Sequence, residues 1–305
     1  MKLPSRIPFM AIRNLAFAIT VVISIIGLGS LFKHGLNFGL DFTGGTLIEL
    51  SYEQPADLEL IKRELGQAGY TDAVVQSFGS TTDVLVRLAG DSADLGNEVA
   101  TALRKIDTTS FEVKRVEFVG PQVGEELRDQ GGLAMLLALG GILLYLAFRF
   151  QWKFGIGAVG SLAHDIIVTL GILAFFQVPF DLTVLAAVLA MIGYSLNDTI
   201  IIYDRIRENF RVLRKADIIE NIDVSVTQTL LRTMATSLST AMALIALLIF
   251  GGDSLGGFAL TLLIGVAVGT YSSIYISAPV LIWLKLTSED LIPPAVDPES
   301  IDERP

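Results

Sequence analysis

Cysteine is absent from the 305 residues, which excludes a disulfide framework and a thiolate-bound metal. Histidine occurs only twice, too few for an imidazole-built centre, so no metal or other cofactor is expected. No Gly-Lys-Ser/Thr loop is present to cradle a phosphate; this argues against nucleotide hydrolysis, and the chain is not expected to be an enzyme. Charge is scarce as well, at 18% of residues against roughly a quarter in an ordinary soluble domain. The formal net charge of −10 disfavours nucleic acid as a partner.

Apolar length is what the chain has in abundance. Hydrophobic residues make up 52%, and the runs 15–31, 133–148, 154–176, 182–203, 233–250 and 255–284 each approach or exceed the roughly 17–25 residues that cross a bilayer as helix. A soluble helical core would carry polar stripes that most of these runs lack. The expectation is an α-helical integral membrane protein with six transmembrane helices. Lys2, Arg6, Arg13, Arg149, Lys153, Arg205, Arg207, Arg211, Arg214, Lys215 and Lys285 fall on one side of such an arrangement, while the opposite short loops, 177–181 and 251–254, hold no Lys or Arg. Basic residues resist translocation, so both termini are expected in the cytoplasm, with the first run as an uncleaved signal anchor. The organisation that follows is a cytoplasmic N-terminus at 1–14, a first span at 15–32 and a domain beyond the membrane at 33–130. Spans two to six then lie within 131–285, with a cytoplasmic loop at about 204–228, before an acidic, disordered tail at 286–305.

The segment 33–130 holds 17 acidic and nine basic residues and reads as a small α+β domain. Residues 46–52 alternate as a strand; Leu58, Ile61, Leu65 and Ala68 have helical spacing, ended by Gly69. Two strands at 73–78 and 84–88 joined by a turn, a helix at 95–106 and a last strand at 111–119 complete the order βαββαβ. That order is the one of a ferredoxin-like split unit, whose sheet edges stay open to a partner.

Ionisable residues within the spans cost about 2.5–3.5 kcal/mol each at a helix centre, so each needs a reason. Asp165 has Ser161 and Thr169 four residues to either side, on one helix face that must look into the bundle. Asp198 has Tyr194 and Asn197 beside it and reads as about 7 Å from the end of the fourth span. Arg232 enters the fifth span from the same side, so an interhelical ion pair with Asp198 is expected, and Thr229, Thr233, Thr236 and Thr240 continue a hydroxyl stripe. One reading is a structural salt bridge; the other is a proton relay of Asp198, Arg232, Asp165, Asn197, Tyr194 and Thr236, with sodium as a substitute for the proton. His164 reads as a packing residue. Gly155, Gly157 and Gly160 in the third span and Gly265 and Gly269 in the sixth mark close helix approach. Asp41, Gly44 and Gly45 read as a structural hinge, since glycine permits positive φ where the first span hands over to the first strand.

Five motifs in order carry a resemblance. Gly39-Leu40-Asp41-Phe42-Thr43-Gly44-Gly45, Val119-Gly120-Pro121-Gln122-Val123-Gly124, Ala163-His164-Asp165, Gly193-Tyr194-Ser195-Leu196-Asn197-Asp198-Thr199 and Asp204-Arg205-Ile206-Arg207-Glu208-Asn209 resemble the SecF family of bacterial protein-export proteins, and Arg232-Thr233 matches too. The likeness runs from about Asn37 to Leu284 and implies kinship with the resistance-nodulation-division transporters. It implies a bacterial inner-membrane subunit acting with SecD beside the SecYEG channel, with SecA involved indirectly and YajC as a further partner. Such a subunit couples the proton motive force to late steps of preprotein export, and Asp198 and Arg232 match family positions implicated in proton passage, Asp165 less closely. The rival is a homo-oligomeric proton-driven exporter of small molecules or lipids, for which a domain of roughly 80 residues without a pocket-forming insertion is a poor fit. Residues 215–223 and those after 287 carry no motif of the family.

Overall fold

Six helices long and apolar enough to cross a membrane are present in a computed structural model of the chain, which describes residues 6–71, 73–78, 80–88, 94–106, 110–213, 216–287 and 289–291. The tail beyond residue 291 and residues 1–5 lie outside the described residues. A 3-10 turn at Phe9–Ile12 leads into α1 (Arg13–His34), then β1 (Asn37–Phe38) and the single turn α2 (Leu40–Thr43). The domain that follows contains β2 (Gly45–Tyr52), α3 (Leu58–Gln67), β3 (Val74–Phe78), β4 (Ser80–Leu88), α4 (Leu95–Ile106) and β5 (Phe111–Val119). The remaining spans begin with α5 (Pro121–Arg149) and α6 (Trp152–Phe175), followed by β6 (Pro179–Phe180), α7 (Leu182–Val212), α8 (Ile218–Phe250), α9 (Asp253–Ser272) and α10 (Ala278–Trp283).

The domain's sheet has the order β3-β4-β2-β5, with every neighbouring pair antiparallel. Alternation along the strands puts Ile48, Leu50, Val84 and Val86 on one face, where Ile61 and Leu65 of α3 and Val99 and Leu103 of α4 complete a dry core. The opposite face carries Leu47 and Leu85, which pack with Leu40 and Val119 towards the bundle.

Helix limits differ from the hydropathy reading in three places. α5 begins at Pro121, ten residues before the boundary expected at 130/131, because proline at the first helical position is pre-set for a helix while Glu125, Glu126, Arg128 and Asp129 hide that turn from an apolar window. The cytoplasmic loop expected at about 204–228 is largely helix: α7 continues to Val212 and α8 starts at Ile218, capped by Asp217 accepting from Glu220 N at 2.6 Å. These extensions zip together through Asn209 Nδ2, which donates to Ser225 Oγ (2.8 Å) and Gln228 Oε1 (2.9 Å). The last span is not one regular helix, since α9 and α10 are joined by a π-helical turn at Ser273–Ser277. Pro279 has no N–H for the carbonyl of Tyr275, and a widened turn accommodates its ring.

Buried residues of α6, α7 and the last span, among them Phe154, Leu173, Val188, Met191, Ile202 and Ile274, form the centre of the bundle. Only 11% of the spanning stretches of α5 and α8 is buried, against 56% for α6 and α7. α8 is gripped mainly at its loop end, where the buried Asp223 accepts from Met10 N (2.9 Å) and from Arg6 Nε and Nη2 (3.2 and 3.0 Å).

Candidate functional site

Three helices converge on Asp165. Its Oδ2 accepts from Ser195 Oγ of α7 and from Ser272 Oγ of α9 (2.8 Å), while Oδ1 lies 2.9 Å from His164 Nδ1. Ser161 Oγ, one turn earlier on α6, donates to Ser272 Oγ at 2.9 Å, and Thr169 Oγ1 contacts Met191 Sδ. Ser161, Asp165 and Thr169 are all buried. A carboxylate at this depth needs partners, and here neighbouring helices supply them. Further along, Thr199 Oγ1 and Ser273 Oγ are 2.9 Å apart and Tyr203 Oη donates to Ser277 O (3.1 Å), so hydroxyls line the π-helical turn. Close approach of α9 to α7 is what Gly265 and Gly269 permit: a Cβ there would fall 2.1 Å from Met191 Cγ and 2.8 Å from Ser195 Cβ.

The expected relay residues do not form one cluster. Asp165 belongs to the serine network, whereas Asp198 turns towards Asn197, Ser237 and Arg232. Asp198 is 0% exposed, and neither of its oxygens has a hydrogen-bond partner. Tyr194 Oη reaches Ser237 Oγ at 3.4 Å, and Ser237 Oγ is 2.8 Å from Thr270 Oγ1 of α9. The Thr236 hydroxyl is spent on its own helix, donating to Arg232 O and Thr233 O; Asn197 is exposed. The expected Asp198–Arg232 ion pair is not among the ion pairs of the described residues. Arg232 is exposed, because the spanning part of α8 sits at the bundle's edge, with only 11% of it buried. The helix end needs correcting too: α7 runs on to Val212, so Asp198 stands 14 residues from it, about 21 Å at 1.5 Å per residue instead of about 7 Å, and Arg232 stands 14 residues from the start of α8 at Ile218. Their levels still match.

Asp41, Gly44 and Gly45 form a bonded junction between the domain and the bundle. β1 pairs in parallel with β6, and Asp41 Oδ2 accepts from Leu182 N (2.9 Å) at the first turn of α7. Gly44 and Gly45 have φ of +65° and +111°, a region that side chains disfavour. Space is equally restrictive, since a Cβ on Gly44 would lie 2.9 Å from Pro121 Cα and one on Gly124 2.8 Å from Gly44 N. Sequence reasoning missed Ser195 and Ser272 as partners of Asp165 and missed Asp223 altogether; paired serines in an otherwise apolar run at 272–273 were the available signal.

Comparison with known proteins gives the family of the chain. The sequence profile of the family described as "Protein export membrane protein SecD/SecF, C-terminal" matches residues 98–287, and that of the "SecD/SecF GG Motif" matches residues 29–56, which include Gly44 and Gly45. A protein translocase subunit SecF of Pseudomonas aeruginosa is 66% identical over 300 residues, 98% of each chain. Its counterpart in Vibrio alginolyticus is 47% identical, covering 100% of this chain and 99% of the other. The crystal structure of SecDF, a translocon-associated membrane protein from Thermus thermophilus, superposes with a TM-score of 0.84 at 37% identity over 92% of this chain; this chain spans 39% of that longer one. With a profile covering more than half its length and near-full-length relatives at such identity, the chain belongs to the SecF family of protein-export membrane proteins.

Proposed function

We propose that this chain pairs with a SecD-type partner in the bacterial inner membrane, beside a SecYEG channel fed by SecA and with YajC nearby, and couples the proton motive force to late steps of preprotein export. Both termini are cytoplasmic and the sheet domain is periplasmic. The strand order β3-β4-β2-β5 with two helices on one face supports reading that domain as ferredoxin-like. The work is conformational and involves no covalent chemistry.

The observation that carries the reading is Asp198, fully buried with no hydrogen-bond partner on either oxygen, while Arg232 at the same level is exposed and forms no ion pair with it among the described residues. An unpaired buried charge is costly, so taking up a proton and gaining Arg232 as partner are alternative ways to satisfy Asp198. Protonation then selects between two settings of α7 and α8. One charge crossing about 100 mV is worth roughly 2.3 kcal/mol, enough to shift a two-state equilibrium some fiftyfold. A second, related half completes the site on the side where Arg232 lies open. Asp165, bonded on both oxygens, is the fixed point against which Asp198 works. The test is precursor export in cells whose only copy carries Asp198→Asn, normalised to assembled complex. Export should fall at least tenfold at unchanged assembly; unchanged export would make Asp198 a structural group and sink the reading.

A further inference from the structure

A pocket of about 230 Å³ opens between α5 and the domain-side ends of the neighbouring helices. Phe38, Phe42, Met135 and Leu170 give it an apolar wall, Gly132 lies at its edge and Arg128 at its mouth. The neighbouring Gly131 brings α5 close to the floor of the pocket, since a Cβ there would fall 2.9 Å from Leu185 Cδ2 and 3.4 Å from Phe42 Cε1. Phe38 and Phe42 meet edge to face, with centroids 6.0 Å apart. Arg128 and Asp129 are the last charges on α5 before the apolar run that begins at Leu133. The pocket therefore straddles the level where lipid headgroups give way to hydrocarbon.

Arg128 is 58% exposed and is held in two long ion pairs, Nη2 to Glu125 and Nε to Asp129, each at 3.7 Å, beyond hydrogen-bond reach, so its N–H groups can still donate to an incoming oxygen. A guanidinium with free donors at this level suits a phosphate, which it can grip with two parallel bonds. The two flanking carboxylates repel a purely anionic headgroup and attract an ammonium. We propose that the pocket holds one zwitterionic phospholipid of the phosphatidylethanolamine type, with its phosphate on Arg128, its ammonium beside Glu125 and Asp129, and one acyl chain across Gly132 against Phe38, Met135 and Leu170. This lipid fills the gap beside a helix that is otherwise scarcely packed. The inference needs the helices to lie in a bilayer and is independent of the export role, so the two can fail separately.

The test uses the purified full chain, delipidated in detergent and titrated with phosphatidylethanolamine or phosphatidylglycerol under native mass spectrometry. Wild type should retain one phosphatidylethanolamine at least tenfold more tightly than phosphatidylglycerol. Met135→Trp, which enlarges a side chain of the pocket's own wall, should lower that retention at least tenfold, as should Arg128→Gln. Leu144→Ala, at an exposed position on the same helix away from the pocket, should leave it unchanged, and circular dichroism melts check that each variant is folded. Equal retention in wild type and Met135→Trp overturns the proposal, as does equal retention of the two lipids. Loss of the lipid on assembly with a SecD-type chain would mean that a partner helix covers the pocket, and would overturn it too.

Discussion

Gly171 sits where a methyl group has no room. A Cβ there would lie 2.4 Å from Gly27 Cα on α1, against backbone that no side-chain rotation can clear. Gly171→Ala should therefore force α1 from α6 and destabilise the bundle by about 1–3 kcal/mol, read as a lower melting temperature in detergent. Gly155→Ala, with nothing within 4 Å of its Cβ, should change it little. The glycine spacing at 155, 157 and 160 suggested close approach, yet among these only Gly157 is confined, against Tyr203 Oη and Ser277 O. Sequence identifies small residues but not the rotation of their helix, and the same limit applied to Asp198 and Arg232: counting residues matched their levels, while the packing of α8 that leaves Arg232 exposed depends on neighbours far away in sequence. Ser161 was legible as a companion of Asp165 because it lies one turn away on the same helix. Ser195 and Ser272 were not, because tertiary packing delivers them.

β4 shows what an element adds to its residues. Asp83 accepts from Lys114 Nζ (2.9 Å), Ser51 Oγ (2.7 Å) and Ser80 Oγ (2.8 Å); these bonds, that of Lys114 foremost, lower its pKa from 3.8 to about 2. A carboxylate held below its unfolded value contributes stability that is fully present above about pH 4 and is lost as pH falls through about 2. Asp83→Asn should thus weaken the sheet domain at neutral pH and flatten the acid dependence of its stability between about pH 4 and 2. Hydrogen exchange of β3 and β4 amides in the full chain would report both effects. The strand expected at 84–88 begins instead at Ser80, because the polar stretch 80–83 pairs with β2 and β3 without an apolar signature of its own. The charged ends of α5 and α7 escaped a hydropathy reading for a related reason: a helix continues wherever its backbone bonds and one packed face persist, as Ile206 and Asn209 show beyond the apolar run of α7.

At the scale of the whole molecule, the loop ends of α7 and α8 and the segment before α1 form one clamp. Asp223 is central to it, and Asp223→Ala would leave Arg6 only the long ion pair with Glu220 at 4.0 Å and Met10 N without an acceptor in a buried place. Hydrogen bonds to charged groups are worth about 1.5–3 kcal/mol, so the N-terminal segment should detach more often, giving faster trypsin cleavage after Arg6 and Arg13. Wild-type cleavage rates in the variant would contradict this role. The six-helix plan and the domain's order of elements were legible because long apolar runs and period-two alternation are local properties. The clamp was not, since it joins residues more than 200 positions apart.

The junction at Asp41 also has a mechanical meaning. A tether transmits force only after its slack is drawn in, but β1 is paired with β6 and Asp41 is bonded to Leu182. A pull on the sheet domain is thus delivered to the top of α7, and a helix carries axial load as a stiff rod. Asp198 lies 16 residues down that rod, about 24 Å away, so the buried carboxylate sits about midway along a stiff rod whose top is joined to the domain.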